Sequence, residues 1–269
     1  MAKPLLPGEL WQRIEPLLPA PAPRRFRYPG RKPLTNRQAL TGILFVLRTG
    51  INWNDLPIEL GCGSGSACRK RLQRWQRLGV WDRLHHLLLA ELQGADKIDW
   101  SRAAVDSSFC RALGGGEDAG RNPTDRGKLG SKHHAVVDGQ GIPLSATVTA
   151  ANVPDVKALL GVVDAIEPVP GKVGRPKRRP EVLYADRGYD SEPHREELRS
   201  RSIEPVIARR RTEHGSGLGV YRWVVERFFG WLRRFRKLRL RTDYYSANHH
   251  GLLKLACSII CLNYLMASP

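Results

Sequence analysis

The chain has 269 residues, of which 41% are hydrophobic and 26% are charged. These fractions are ordinary for a globular protein and exclude a wholly disordered chain. The balance of charge is unusual, because 44 Lys and Arg residues against 26 Asp and Glu residues leave a net charge of +18. Such a field attracts polyanions, so nucleic acid is the first expected partner. A ribosomal or histone-like protein is the simplest alternative, but such chains are usually shorter and poorer in tryptophan than this one, which has 7 Trp.

The cysteines and the apolar segments indicate the compartment. None of the 5 cysteines has the CxxC spacing of a zinc pair, so we expect free, mostly buried thiols in a reducing cytosol. Cys257 and Cys261 are spaced like core residues on one helix face. The longest apolar stretch, residues 251–266, is too short to span a bilayer, and no signal peptide is recognisable at the amino terminus. We expect a cytoplasmic, nucleoid-associated protein without a membrane segment.

The first hundred residues have the 3.6-residue periodicity of helices. We therefore predict a helical DNA-binding domain over residues 1–98. Its helices are expected over residues 8–18, from a cap at Thr35 to a stop at Gly50, over residues 66–77 and over residues 80–92.

Basic side chains cover most of the predicted helix at 66–77. Its apolar face is narrow, and a second helix follows after a short turn, which is typical of a helix-turn-helix. A basic, solvated helix in a plain bundle is the alternative. We favour DNA contact by Arg69, Lys70, Arg71 and Arg74.

From residue 99 onward strands alternate with helices, which predicts an α/β domain over residues 99–269. Two strands at 131–137 and 142–149 are joined by Asp-Gly-Gln-Gly, a hairpin pattern. Further strands are expected to end at Asp106 and Asp186 and to lie over residues 203–208, and helices are expected over residues 153–166, 192–201, 219–235 and 246–266.

Three acidic residues stand out by their sequence context. Asp106 follows the apolar run AAV and Asp186 follows VLYA, so both are predicted near the carboxyl ends of strands, where open α/β sheets place their sites. Glu226 lies within a predicted helix among valine and phenylalanine residues. A carboxylate amid so much apolar surface is costly to desolvate and needs a cation, either an arginine or a metal ion.

Carboxylates from two strands and one helix are suited to hard divalent cations. We expect Asp106, Asp186 and Glu226 to bind two Mg²⁺ ions, with Mn²⁺ as a substitute. Such a pair can activate a water or a 3′-hydroxyl and stabilise the leaving oxygen at phosphorus. Simpler roles stay open at this point: Asp106 capping a turn, Asp186 forming an Asx-turn, and Glu226 pairing with Arg222 or Arg233.

The helix of Glu226 is followed by a strongly basic segment. Arg222 and Arg233 are predicted on the same helix face as Glu226, where their charge favours an ionised carboxylate. Residues 233–241 include six basic residues in nine, which favours a DNA track beside the site. The predicted phosphate contacts here are Arg222, Arg233, Arg234, Arg236 and Lys237, with Lys128 and Lys132 from the preceding loop and strand. His133 and His134 are adjacent on a predicted strand, so they face opposite ways and at most one approaches the site.

Several long motifs resemble those of DDE-type insertion-sequence transposases, in the insertion sequence five group. The N-terminal strings ALTGILFVLRTGINWNDLP and RLQRWQRLGVWDRL resemble that group's helical domain. AAVDSSF, YADRGYDS and RWVVERFFGWLRRFRKLRLRTD resemble its three catalytic blocks. In the family's signature Arg222 and Glu226 fit, whereas Gly219 stands where a tyrosine is usual and Arg233 where a lysine is usual.

The resemblance implies a ribonuclease H-like catalytic domain, a mixed sheet flanked by helices. It implies that Asp106, Asp186 and Glu226 are the catalytic, metal-binding residues. The implied reaction cleaves element ends, frees a 3′-hydroxyl and joins it to target DNA. Because element ends are inverted repeats, a homodimer is expected. The alternatives are a nuclease that cuts without joining and an inactive DNA-binding regulator.

Overall fold

A computed structural model describes residues 4–20, 26–27, 33–211 and 217–267. The amino-terminal part of this range is helical, as the periodicity predicts. Its helices are α1 (Gly8–Ile14), α2 (Asn36–Thr49), α3 (Gly65–Arg77) and α4 (Val80–Gly94).

Local capping chemistry determines where these helices begin and end. The Thr35 side chain accepts a hydrogen bond from the Gln38 backbone N–H and the Gln38 side chain accepts one from the Thr35 N–H, which forms a capping box before α2. Gly50 ends α2 in the left-handed conformation, with φ 79°. The helix predicted over 8–18 is shorter than expected, because Pro16 lies in a separate 3₁₀ turn after α1.

The remainder of the chain alternates between strands and helices. The strands are β1 (Arg102–Ala112), β2 (Gly120–Arg121), β3 (Leu129–Asp138), β4 (Pro143–Ala150), β5 (Val182–Ala185), β6 (Glu204–Ile207) and β7 (Leu240–Arg241). The helices are α5 (Asp155–Asp164), α6 (Glu192–Ser200), α7 (Gly219–Leu232), α8 (Arg236–Arg239) and α9 (Ser246–Met266).

The strands form one mixed sheet. Its five longer strands lie in the order β4-β3-β1-β5-β6. The pairs β1–β3 and β3–β4 are antiparallel, whereas β1–β5 and β5–β6 are parallel. The short strands β2 and β7 extend the sheet beside β3 and β1. This mixed sheet with flanking helices confirms the predicted α/β class.

The position of Asp106 in β1 differs from the prediction. Asp106 lies in the interior of an 11-residue strand instead of at its end. Antiparallel pairing with β3 carries β1 on to Arg111, but parallel pairing with β5 stops at Ala104 and Tyr184. Asp106 and Asp186 are each two residues beyond that last pair. The edge of the sheet at which Asp106 and Asp186 meet is therefore formed by the end of β5, and not by the end of β1 as predicted.

Two long helices connect the sheet with the amino-terminal helices. α7 lies against β1, β3 and β5, and α9 packs against α4, α3 and β4. Residues 251–262 of α9 are all buried, including Cys257 and Cys261, which confirms their predicted place in the core. All 5 cysteines are buried free thiols, as predicted. No helix within the described ranges is both long enough and apolar enough to cross a membrane.

Candidate active site

Asp106 and Arg222 form the centre of the candidate site. The Oδ1 atom of Asp106 accepts a hydrogen bond from the Ser107 backbone N–H at 2.7 Å, and its Oδ2 atom accepts one from the Arg222 guanidinium at 3.1 Å. Burial raises the pKa of Asp106 to about 6, although the Ser107 N–H and Arg222 lower it. The neighbouring carboxylates Asp186 and Asp155 raise this pKa further. Three acidic groups therefore converge here and repel one another.

Asp186 lies at the amino end of a 3₁₀ turn directly after β5. Its side chain accepts a hydrogen bond from the Gly188 N–H at 2.8 Å, so the predicted Asx-turn is present. A Cβ atom on Gly188 would lie 2.9 Å from Oδ1 of Asp186 and 3.8 Å from Oδ2 of Asp155. Both carboxylates thus lie close to Gly188, and the missing side chain leaves the space between them open.

Asp155 and Tyr189 are site residues that the sequence analysis did not identify. Asp155, the first residue of α5, accepts hydrogen bonds from Ser107 Oγ and Lys132 Nζ, each at 2.9 Å. Tyr189 is 1% exposed, so its side chain is buried beside these carboxylates. Burial, with the charges of Asp106 and the other two aspartates, raises the pKa of Tyr189. In the sequence, Asp155 is recognisable only as part of the predicted helix at 153–166, and Tyr189 only as part of the motif YADRGYDS.

Glu226 is exposed on α7, one helical turn after Arg222. The apolar residues around it in sequence face the sheet, so the desolvation expected from the sequence does not occur. Arg222 contacts Asp106 and not Glu226. Within the described ranges, Glu226 has no recorded hydrogen bond or ion pair, so the alternative pairing with Arg222 or Arg233 is not found. The structure brings Asp106 and Asp186 together, whereas it records no contact between Glu226 and either aspartate.

The basic residues predicted to bind DNA fall into two sets. One set already has partners in the protein: Arg69 pairs with Asp243 at 3.3 Å, and Arg71 donates to Asn36 Oδ1 at 2.7 Å and to the Leu34 carbonyl at 3.0 Å. The other set is exposed and can meet a phosphate without breaking such contacts. It consists of Lys70, Arg74, Lys128, Arg233, Arg234 and Arg236.

Two lysines predicted to bind DNA are directed into the protein instead. Lys237 is 1% exposed, and its Nζ donates to the Ile51 carbonyl and to Thr242 Oγ1. Lys132 is 5% exposed and pairs with Asp155. Burial of an ammonium group requires such partners, so neither charge is available to DNA in this conformation.

A cleft of about 400 Å³ lies between β1, β3 and α7. Ser108 lines it, and Ser108 is on the same face of β1 as Asp106, since the two are two residues apart. His133 also lines the cleft, whereas His134 contacts Thr149 Oγ1 and lies near Asp155, so the two histidines face opposite ways as predicted. The other lining residues are Phe109, Phe229, Leu232, Arg233, Leu238 and Arg239.

Two family models match most of the chain. Residues 100–261 match the model described as "Transposase DDE domain", and residues 6–85 match the one described as "Putative transposase of IS4/5 family". The chain is 60% identical over 146 residues to the "Putative transposase for insertion sequence element IS402" of Burkholderia cepacia, covering 54% of this chain and 69% of that protein. It is 31% identical over 156 residues to the "Transposase for insertion sequence element IS1106" of Neisseria meningitidis serogroup B, covering 52% of this chain and 48% of that protein.

Among solved structures, the Mos1 strand transfer complex aligns with 89% of this chain and 81% of its own. The TM-score is 0.31 and the sequence identity is 10%, and these values are too low to establish a shared fold or function. The family matches do not depend on this likeness. They define the chain as a transposase with a DDE domain. Within that class, the chain belongs to the insertion-sequence transposases of the IS4/5 family, which confirms the resemblance of its motifs.

Proposed function

We propose that this DNA transposase cleaves the ends of its insertion sequence, frees a 3′-hydroxyl and joins it to target DNA, with Asp106, Asp186 and Glu226 as its catalytic residues. The observation that carries the proposal is the edge formed where β5 ends. There Asp106 and Asp186 extend from adjacent parallel strands, and Arg222 of α7 contacts Asp106 at 3.1 Å.

The donor set at this edge fits hard divalent cations. Its oxygens come from carboxylates, which Mg²⁺ and Mn²⁺ prefer, and the mutual repulsion of Asp106, Asp186 and Asp155 favours a bound cation. Asp106, Asp186 and Glu226 would hold two Mg²⁺ ions. When bound, the ions supply activation of the attacking hydroxyl and stabilisation of the leaving oxygen.

Residues of the chain organise the site around these carboxylates. Arg222 favours the ionised form of Asp106 and lies where a DNA phosphate would approach. Lys132 and Ser107 hold Asp155 in place through hydrogen bonds. Glu226 lies on the same flank of α7 as Arg222, and a change of its side-chain rotamer directs its carboxylate toward the edge when cations and DNA are present.

In this proposal, the exposed basic residues form the DNA-binding surface of the protein. Lys70 and Arg74 on α3 contact element ends in the helix-turn-helix manner, while Arg233, Arg234 and Arg236 bind phosphates near the site. We assign end binding to residues 1–98 and catalysis to residues 99–269. The protein acts as a homodimer on the two inverted ends, in the cytoplasm with the nucleoid.

The test uses purified protein, a labelled element end and Mg²⁺. Asp186→Ala is expected to lose cleavage and joining while still binding the end in Ca²⁺. Glu204→Ala is the control, because Glu204 is exposed at the start of β6, at the opposite end of the strand from the site. Wild-type cleavage and joining by Asp186→Ala would refute the mechanism.

A second substrate tests whether the enzyme joins DNA as well as cutting it. A pre-nicked end with a free 3′-hydroxyl is expected to be linked to target DNA by the wild-type protein. Cleavage of intact ends without joining of the pre-nicked end would indicate a nuclease. Binding in Ca²⁺ without either reaction in Mg²⁺ would indicate a DNA-binding regulator.

A further inference from the structure

Cys110, His133 and His249 form a buried cluster of soft ligand atoms. Cys110 Sγ is 3.7 Å from the Nε2 atom of each histidine, and the two Nε2 atoms are 2.7 Å apart. The three residues are 4%, 3% and 1% exposed. They come from β1, β3 and α9, so the cluster joins three elements that are distant in sequence.

The cluster is separate from the acidic site. Cys110 is on the same face of β1 as Asp106 but four residues further along, a distance of about 13 Å. Its donors are sulfur and nitrogen atoms, whereas the donors of the acidic site are carboxylate oxygens. The two sets therefore prefer different cations, and a soft or borderline ion is expected at the cluster.

The spacing of the three atoms is close to that of a tetrahedral zinc site. With Zn–S near 2.3 Å and Zn–N near 2.0–2.1 Å, a tetrahedral ion places sulfur about 3.6 Å from each nitrogen and the two nitrogens about 3.3 Å apart. The two observed S–N distances of 3.7 Å agree with this. To bind one ion, the nitrogens need to separate by roughly half an ångström. The ring centroids are 4.9 Å apart and the two Nε2 atoms meet almost head-on, so each imidazole must also turn until its Nε2 lone pair faces the ion.

We propose that Cys110, His133 and His249 bind one Zn²⁺ ion, with a water molecule as the fourth ligand. His133 lines the cleft of about 400 Å³, which gives that water a path to the ion. The thiol proton of Cys110 passes to solvent as the sulfur–zinc bond forms, so the ion and its thiolate together carry one positive charge. The ion fastens β1 and β3 to α9 and holds the floor of the cleft.

The charges around the cluster are compatible with such an ion. Arg241 is a permanent cation that acts on all three residues. Its guanidinium donates to Ser131 Oγ and to the carbonyl oxygens of Asp243 and Tyr244. Three carboxylates, Asp118, Asp243 and Glu117, act on Arg241 and offset its charge. Without an ion, a hydrogen bond between the two imidazoles accounts for the 2.7 Å distance between their Nε2 atoms. The experiment below distinguishes this hydrogen-bonded pair from a zinc site.

The experiment replaces zinc with Co²⁺ in the full-length protein, purified without a polyhistidine tag and stripped of metal. Excess Mg²⁺ is present so that the acidic site is filled. We expect one equivalent of Co²⁺ to give a sulfur-to-cobalt charge-transfer band and the intense d–d bands of a tetrahedral site, and Zn²⁺ to abolish both. We also expect Zn²⁺ to raise the melting temperature of the protein.

The variants identify the ligands. Cys110→Ser is expected to lose the charge-transfer band, and His249→Gln to weaken Co²⁺ binding by about 10-fold or more. Cys62→Ser is the matched control, because Cys62 is another buried thiol, and its Sγ donates a hydrogen bond to the Leu60 carbonyl instead of contacting a histidine. Circular dichroism of each metal-free variant checks its fold.

Absence of the charge-transfer band in the wild-type protein would overturn the proposal, whatever the variants do. Persistence of the band in folded Cys110→Ser, or its loss in Cys62→Ser, would also overturn it. Because no DNA or activity is involved, failure of this experiment leaves the proposed transposition mechanism unaffected.

Discussion

The guanidinium of Arg222 on α7 donates a hydrogen bond to Oδ2 of Asp106 on β1, at 3.1 Å. This contact joins the helix that carries Glu226 to the strand that carries the first aspartate. It also places a permanent positive charge beside a carboxylate whose pKa is raised to about 6 by burial.

Replacement of Arg222 should therefore change the pH dependence of cleavage. In Arg222→Gln the pKa of Asp106 rises further, so the acid limb of the pH–rate profile moves to higher pH. If the pKa rises by one unit from about 6, we expect the loss of activity at pH 6 to exceed that at pH 8 by about 5-fold. Arg227→Gln is the control on the same helix, because Arg227 contacts Gln140 and Tyr264 instead of the site. An unshifted acid limb in Arg222→Gln would contradict the assigned role.

Stabilisation by Mg²⁺ should depend on pH for the same reason. The folded pKa of Asp106, about 6, is above its ordinary value of 3.8, so its contribution to stability is present below pH 4 and is lost as the pH rises through 6. A bound cation offsets the carboxylate charge. We expect Mg²⁺ to raise the melting temperature more at pH 8 than at pH 5, and Asp106→Asn to remove most of this difference. An equal rise at both pH values in the wild-type protein would count against cation binding at Asp106.

The Lys132–Asp155 pair should behave as a coupled unit. Asp155→Asn leaves the ammonium of Lys132, which is 5% exposed, without its carboxylate. We expect a loss of about 2 kcal/mol in the free energy of unfolding. Lys132→Met combined with Asp155→Asn should be more stable than Asp155→Asn alone. Urea unfolding of the single and double variants measures the coupling, and strictly additive effects would exclude it.

The basic residues of α3 should separate into binding and structural groups. Lys70 and Arg74 are exposed, so replacing both with alanine should weaken end binding and reduce its salt dependence, with little change in stability. Arg71→Ala should lower the free energy of unfolding by about 1–2 kcal/mol, because Arg71 donates hydrogen bonds to Asn36 Oδ1 and to the Leu34 carbonyl. Salt titrations and urea unfolding distinguish the two groups. An unchanged salt slope in the Lys70 and Arg74 variant would remove α3 from the DNA contacts.

Features with a local physical cause were predicted well from the sequence. The capping box at Thr35 and the left-handed Gly50 fix the ends of α2 through contacts within a few residues. The hairpin between β3 and β4 and the opposite directions of His133 and His134 follow from strand alternation.

Features that depend on partners distant in the sequence were not predictable. Asp106 was expected at a strand end, but the length of β1 is set by its pairing with β3, which extends to Arg111. Lys237 was predicted to contact DNA. Its ammonium instead donates a hydrogen bond to the carbonyl of Ile51, which is 186 residues away in the sequence. Likewise, nothing near Asp155 in the sequence indicates that its carboxylate lies beside Asp106.

The most direct test of the account is single-turnover cleavage of a labelled element end by Glu226→Gln in Mg²⁺. Glu226 is the one proposed metal ligand for which no contact to the other two is recorded within the described ranges. We predict a loss of at least about 10³-fold in the cleavage rate, with end binding in Ca²⁺ unchanged. Glu196→Gln, at an exposed helical glutamate of α6, should cleave at the wild-type rate. Cleavage by Glu226→Gln at the wild-type rate would contradict the account.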